Sequence, residues 1–157
     1  MSNDTSSVRL IVPALAPLHE RLATLSYPMI RFCTGLFLMP HGAQKLFGWF
    51  GGGGLSGTAG FFSQNLGLEP GMFWAVLVGG TEFFGGLCLA IGLLTRPAAL
   101  AVALLMAVAA YLVHLPNGFF WSAGGYEYPL LWGLIALAVA MRGGGNFSVD
   151  RAIGHEF

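Results

Sequence analysis

Charge is scarce in this chain: only 9% of its residues are Asp, Glu, Lys or Arg, whereas 55% are hydrophobic. A soluble domain carries about 25% charged residues, so the composition predicts a membrane protein. The formal net charge at pH 7 is zero, which excludes the basic surface of a nucleic-acid-binding protein. The two cysteines, Cys33 and Cys88, form no CxxC or metal-type spacing and are expected to be buried thiols. We therefore expect neither a nucleic-acid partner nor a metal site.

Long apolar runs divide the single predicted domain into four membrane spans, since a helix needs about 20 apolar residues to cross a bilayer core. The predicted spans are residues 26–48, 71–94, 97–115 and 126–141. They form a membrane domain over residues 26–141, and residues 142–157 are a predicted cytoplasmic tail. Residues 1–25 are predicted to be a polar tail followed by a short interfacial helix or an ordered loop. The predicted fold class is an all-α, polytopic four-helix transmembrane bundle.

The distribution of arginine predicts the orientation of this bundle. With four spans, both termini lie on the same side of the membrane. That side carries Arg9, Arg21, Arg96, Arg142 and Arg151. The opposite side has only Lys45 near a membrane end, and cytoplasmic loops are the ones enriched in Lys and Arg. Both termini are therefore predicted to be cytoplasmic, in a multi-pass protein of the inner (plasma) membrane.

Glu82 is the one charged residue of the second span. A carboxylate at the bilayer centre costs about 2.5–3.5 kcal/mol, so it needs a partner or a function. Its predicted helix face is otherwise made of small residues, which allow close helix contact in lipid. These residues are Ala75, Gly79, Gly86 and Ala90. We expect Glu82 to point into the bundle.

Two other segments are predicted to form helices with specific contacts. Thr58 is expected to cap a short helix that ends at Leu66, before Gly67. In the third span, a stripe of small residues ending in a histidine is expected to pack inward. That stripe is Ala99, Ala103, Ala107, Ala110 and His114.

Titratable residues from several spans are predicted to converge near the outer side of the bundle. They are His41, Lys45, Glu82, His114 and Glu127, with Arg31 deeper toward the cytoplasm. Such groups beside an aromatic-rich mouth suit a quinone, because ring carbonyls need hydrogen-bond donors and reduction needs protons. In this hypothesis His41, Lys45 and Arg31 bind the cofactor, whereas Glu82, His114 and Glu127 form a proton relay.

Each of these residues also has a structural interpretation. Lys45 would extend its ammonium to the interface, His41 would bind a carbonyl freed by Pro40, and His114 and Glu127 would form an interfacial ion pair. Glu82 would form an ion pair with Arg31 that joins two helices.

Several motifs occur in a fixed order along the chain. They are RFCTGLFLMPHGAQKLFGWFGG (31–52), GLSGTAGFF (54–62), LVGGTEFFGGLCLAIGLLTRPAAL (77–100), HLPNGFF, GYEYPL and NFSVDRAIG. Together they resemble the DoxX family of small four-span membrane proteins. That family is described as oxidoreductase-like and takes its name from a subunit of a thiosulfate:quinone oxidoreductase, so the resemblance implies a quinone-linked role. The positions that match the family pattern are Arg31, His41, Lys45, Glu82, Arg96, His114 and Glu127.

The leading hypothesis is a membrane subunit of a quinone oxidoreductase in contact with membrane lipid. The glycines 51–54 lack the strand–helix context of a dinucleotide-binding turn, so a redox partner protein or a small diffusible reductant would supply electrons. One alternative is a non-catalytic assembly or partner-binding subunit. Another is a haem b carrier with His41 and His114 as axial ligands. A homo-oligomer is left open.

Overall fold

A computed structural model describes residues 10–157, which form helices and connecting turns without a β-strand in that range. The helices are α1 (Ala16–Phe47), α2 (Gly54–Leu66), α3 (Gly71–Ile91), α4 (Thr95–Asn117), α5 (Glu127–Arg142) and α6 (Val149–Ile153). The start of the expected polar tail, residues 1–9 including Arg9, lies outside the described residues. Three helices, α1, α3 and α4, are long and apolar enough to cross a membrane.

The first helix begins earlier than the predicted span. A short 3₁₀ turn at Pro13–Leu15 leads directly into α1, so the segment expected to be a separate interfacial helix or loop is the start of the first helix. The residues between Leu18 and Leu25 contain no glycine or proline and include good helix formers, which explains the continuity. The helix continues through Pro28 and Pro40 and ends at Gly48, whose left-handed conformation stops it.

Helices α1 and α3 approach each other through glycines. A Cβ atom on Gly35 would overlap the backbone of Gly86, and one on Gly42 would overlap the backbone of Gly79 and Phe83. The later glycine of α1 thus meets the earlier glycine of α3, so the two helices run antiparallel. Small residues permit this close backbone contact, which fixes the register of the two helices.

The predicted buried face of α3 is confirmed. Its five residues, Ala75, Gly79, Glu82, Gly86 and Ala90, are all buried. Glu82 therefore points into the bundle, as expected.

Helices α4 and α5 pack against each other and run antiparallel. The Arg96 guanidinium, at the start of α4, donates to the carbonyl oxygens of Ala140 and Met141 near the end of α5. The core between the helices contains Leu38, Leu89, Ala99, Val102, Met106, Ala136 and Val139.

The small-residue stripe predicted for the third span is only partly buried. Ala99 is fully buried, but Ala107 is exposed and the buried face continues through Val102 and Met106. Steps of four residues drift away from a face that repeats every 3.6 residues, and this drift explains the error.

Two π-helical turns interrupt the membrane helices. One covers Thr81–Gly85 in α3 and contains Glu82; the other covers Ala110–His114 in α4 and ends with His114. Such turns are rare and occur frequently at functional sites. Both contain a titratable residue of the predicted site.

The C-terminal segment folds back onto the turn between α3 and α4. The Asp150 carboxylate, in α6, accepts hydrogen bonds from the backbone N–H of Leu94 (2.7 Å), the backbone N–H of Thr95 (2.9 Å) and the Thr95 hydroxyl (2.7 Å). It thereby supplies the cap that the start of α4 lacks, since no side chain of α4 itself caps that end. The predicted tail is thus a packed part of the bundle.

Candidate functional site

A cavity of about 590 Å³ lies between α2, α3 and α4, with one residue of α1 in its wall. Most of its lining is apolar, and this volume falls within the roughly 300–1,000 Å³ of typical small-molecule sites. The aromatic and large aliphatic residues in the lining include Phe61, Phe62, Trp74, Leu105, Val108 and Leu112. Its polar lining residues are Lys45, Thr58, Thr81, Glu82 and His114.

Lys45 and Glu82 form an ion pair in the cavity wall. The Lys45 Nζ lies 2.6 Å from the Glu82 Oε2, and the side chains are 29% and 8% exposed, respectively. The antiparallel contact of α1 and α3 brings them together, because Lys45 follows Gly42 by one helical turn and Glu82 lies between Gly79 and Gly86. The pair neutralises a buried carboxylate that would otherwise be costly in a membrane.

Helix α2 forms one wall of the cavity. Its C-terminus at Leu66, followed by a left-handed Gly67, agrees with the prediction. Its start at Gly54 is earlier than expected, and Thr58 lies inside the helix instead of capping it. The Thr58 hydroxyl donates to the Lys45 carbonyl oxygen at 3.3 Å, which ties α2 to the last turn of α1.

His114 lies at the other side of this cavity, at the end of the π-helical turn in α4. Its Nδ1 is 2.7 Å from the carbonyl oxygen of Gly124, in the loop before α5. Glu127 does not line the cavity; its carboxylate accepts a hydrogen bond from the Trp121 backbone N–H at 3.0 Å. Glu127 therefore fastens the loop that positions His114.

A family model described as DoxX matches residues 28–115, more than half of the chain. The chain belongs to the DoxX family. It is also 35% identical over 80 residues to an uncharacterized protein of Haemophilus influenzae, a match that covers 51% of this chain and 52% of that protein. The chain thus spans about half the length of this curated relative. No solved structure matches the chain.

The DoxX match contains every residue that lines the cavity, from Lys45 to His114, but not the C-terminal segment with Asp150. The cavity is therefore part of the DoxX-family segment itself. The family match and the apolar helices together identify a membrane protein.

Of the six predicted site residues, the structure brings three to the cavity: Lys45, Glu82 and His114. His41 is exposed on α1 and does not line the cavity, so the two histidines expected as haem ligands do not share it. His41 directly precedes the buried Gly42 and lies outside the buried face of α1.

Arg31 does not pair with Glu82. Its guanidinium, in a side chain only 2% exposed, donates to the carbonyl oxygens of Leu89 (2.7 Å), Ala90 (3.3 Å) and Phe147 (2.9 Å). Leu89 and Ala90 belong to the last turn of α3, where carbonyls lack helical partners and the helix dipole attracts a cation. The structural interpretation of an Arg31–Glu82 pair is therefore wrong, and the partner of Glu82 is Lys45.

Arg31 and Asp150 belong to one cluster, which we call the tail clasp and define as Arg31, Leu94, Thr95, Phe147 and Asp150. Burial alone would raise the pKa of Asp150, but the hydrogen bonds from Thr95 and Leu94 and the charge of Arg31 outweigh it. The pKa of Asp150 is consequently below its usual value. This cluster holds the helix ends together and does not face the cavity.

Sequence reasoning missed the contribution of Thr58 to the cavity. The one signal for it was the apolar character of the segment between the first two spans, which contains Phe61, Phe62 and Leu66. Chemically, the cavity offers an ammonium donor, a carboxylate and an imidazole among mostly apolar walls, a combination that fits an aromatic ring bearing polar oxygens.

Proposed function

We propose that this DoxX-family protein is a quinone-linked oxidoreductase subunit that binds the quinone ring in the cavity between α2, α3 and α4. One observation carries the proposal: the Lys45–Glu82 pair and His114 lie on the walls of one apolar cavity of about 590 Å³. Apolar walls suit the ring and the start of its tail, and the polar residues suit its two oxygens. A quinone supplies the two-electron chemistry.

The residues of the chain would divide the remaining tasks. The Lys45 ammonium donates one N–H to Glu82 and has two further N–H groups that can donate to a ring oxygen. Glu82 and His114 are the groups able to accept and release protons at the ring. Because the chain lacks a dinucleotide or flavin signature, a redox partner protein is proposed as the electron donor or acceptor.

We further propose that α5 is a fourth span and that the protein lies in the inner membrane with cytoplasmic termini. Helix α5 has 16 residues, or about 24 Å, which is short for a bilayer core of about 30 Å. Its antiparallel packing along α4 supports a crossing. Arg96, Arg142 and Arg151 lie at the tail-clasp end, which supports placing that end in the cytoplasm.

The test is a mass spectrum of an organic extract of the purified protein, after reconstitution with a membrane-type quinone and removal of excess lipid. The wild-type protein should retain about one quinone per chain. In the Ala109→Phe variant a phenyl ring would fill part of the cavity that Ala109 lines, so this variant should retain little. Ala107→Phe is the matched control, since Ala107 is exposed on the same helix and lies outside this cavity.

Recovery of phospholipid alone from the wild-type protein would contradict the proposal and favour a non-catalytic assembly or partner-binding subunit. Equal quinone retention by the Ala109→Phe variant and the wild-type protein would contradict the location of the site. Haem in the extract would instead favour the carrier hypothesis.

A further inference from the structure

The protonation pattern of His114 follows from its contact with the loop before α5. The carbonyl oxygen of Gly124 lies 2.7 Å from Nδ1 and also accepts a hydrogen bond from the Asn117 side-chain amide at 3.2 Å. A carbonyl oxygen only accepts hydrogen bonds, so Nδ1 must carry the proton. In a neutral imidazole one nitrogen is a donor and the other an acceptor. In the neutral ring, the loop therefore leaves Nε2 of His114 as a hydrogen-bond acceptor.

The two threonine hydroxyls of the cavity donate their protons to backbone carbonyls, so toward a ligand they can only accept. The Thr81 hydroxyl donates to the Leu77 carbonyl oxygen at 2.8 Å, and the Thr58 hydroxyl donates to the Lys45 carbonyl oxygen. Lys45 can only donate, and it has N–H groups beyond the one given to Glu82. The cavity therefore offers more acceptors than donors to a ligand. The donors are the Lys45 ammonium and the Trp74 indole N–H, and the acceptors are His114 Nε2, the Glu82 carboxylate and the hydroxyl oxygens of Thr58 and Thr81.

We infer that the cavity selects the reduced, hydroxyl-bearing form of its ring ligand, a quinol, over the oxidised quinone. The inference rests on the proposed function and specifies the redox form that the same site binds. A quinol hydroxyl donates to the acceptor His114 Nε2, and a quinol oxygen accepts from Lys45. A quinone oxygen can accept from Lys45 or from the Trp74 indole N–H, but at His114 its carbonyl oxygen would face the acceptor nitrogen Nε2 with no hydrogen between them. The ligand that this site receives is therefore a quinol, which a separate quinone-reducing reaction must supply.

The experiment compares three probes that share one alkyl tail and ring: a hydroquinone kept anaerobic, its dimethyl ether and the matching quinone. Each is titrated into the full-length protein in detergent, with Trp74 fluorescence as the signal because Trp74 lines the cavity. A Trp74→Phe variant gives the background from the remaining tryptophans. Loss of one hydrogen bond changes affinity by roughly tenfold, so the hydroquinone should bind about tenfold more tightly than either other probe.

A substitution tests whether His114 causes the preference. His114→Phe keeps a planar ring but removes the acceptor, and the hydroquinone and quinone affinities should then differ by less than about twofold. His19→Phe, on an exposed position of α1 outside the cavity, should keep the wild-type preference. The comparison of probes on the wild-type protein stands even if the His114 variant fails to fold.

Equal affinities for the hydroquinone and the quinone in the wild-type protein, or tighter quinone binding, would overturn the inference while leaving the proposed function intact. A preference that survives His114→Phe would equally overturn the assignment to His114. If none of the three probes bound, the proposed function itself would fail.

Discussion

The two ends of the helix bundle bury charged groups in different ways. In the tail clasp, Arg31 (2% exposed) and Asp150 (3% exposed) bind backbone groups and a threonine hydroxyl. At the cavity, Lys45 and Glu82 bind each other and retain further hydrogen-bonding capacity toward a ligand-sized volume of about 590 Å³. The burial of a charged group therefore does not by itself identify a functional site. A buried charged group that still has free hydrogen-bond donors or acceptors beside a cavity is a better indication of one.

The backbone conformation strengthens this comparison. Leu94 and Phe147 have positive φ values of 47° and 58°, and both belong to the tail clasp. Left-handed residues other than glycine cost about 1–3 kcal/mol each. Asp150 accepts from the N–H of Leu94 and Arg31 donates to the carbonyl of Phe147, so the charges of the clasp hold two strained turns in place. We interpret the clasp as structural and the cavity end as functional.

The largest expected effect is on protein stability and tests the structural role of the tail clasp. Asp150→Ala removes all three hydrogen bonds at the start of α4 and should lower the free energy of unfolding by about 3–5 kcal/mol. Thermal unfolding in detergent measures this loss, and Glu20→Ala, at an exposed position of α1, should change stability by less than about 0.5 kcal/mol. A variant with unchanged stability but lost ligand binding would reverse our assignment of the two ends.

A smaller effect is expected where α1 and α3 touch. Gly42→Ala would force a methyl group against the backbone of Gly79 and Phe83, one turn from Lys45, and should cost about 1–3 kcal/mol. Because it separates the helices at the cavity end, it should also weaken quinol binding. Gly57→Ala is the matched control, since a Cβ there meets no atom within 4 Å. Equal stability of both variants would show that the glycine contact does not set the register.

Local features of the sequence predicted the helices and the buried face of α3, because a stripe of small residues around a carboxylate needs only helical periodicity to be recognised. The partner of Glu82 could not be predicted in the same way. Arg31 and Lys45 both lie on the packed side of α1, and the choice between them depends on the crossing point of two helices. The matching seven-residue spacing of Gly35 and Gly42 with Gly79 and Gly86 was the available signal.

The contacts of the tail clasp could not be predicted from local sequence patterns, for a different reason. Asp150 caps a helix that begins 55 residues earlier in the chain, and nothing near Asp150 in the sequence indicates that contact. The start of α4 did carry a hint, since Leu94 offers no side-chain cap. The two π-helical turns leave no periodic signature in the sequence, so their coincidence with Glu82 and His114 emerges only from the structure.

The cavity end can be tested by breaking and then removing its ion pair. Lys45→Met leaves the Glu82 carboxylate without its partner and should lower the free energy of unfolding by about 2 kcal/mol, between the values for exposed and fully buried pairs. The double variant Lys45→Met/Glu82→Gln should recover at least half of that loss, because no unpaired charge remains. Quinol binding should be lost in both.

This double-mutant cycle separates the two readings of the pair. If the double variant regained binding together with stability, the pair would be structural in the same sense as the tail clasp. If Glu82→Gln alone preserved binding, the carboxylate would not belong to the site.

The smallest expected effect is a pH dependence confined to the clasp. The pKa of Asp150 in the folded protein lies below its value of 3.8 in the unfolded chain. The stabilisation by its carboxylate is therefore fully present above about pH 4 and is lost as the pH falls through the lower, folded-state pKa. The stability difference between the wild-type protein and Asp150→Asn, measured by thermal unfolding at several pH values, should be constant near neutrality and shrink below pH 4. A difference that instead grew on acidification would mean that burial dominates at Asp150, and that the hydrogen bonds of the clasp do not hold the carboxylate in its charged form.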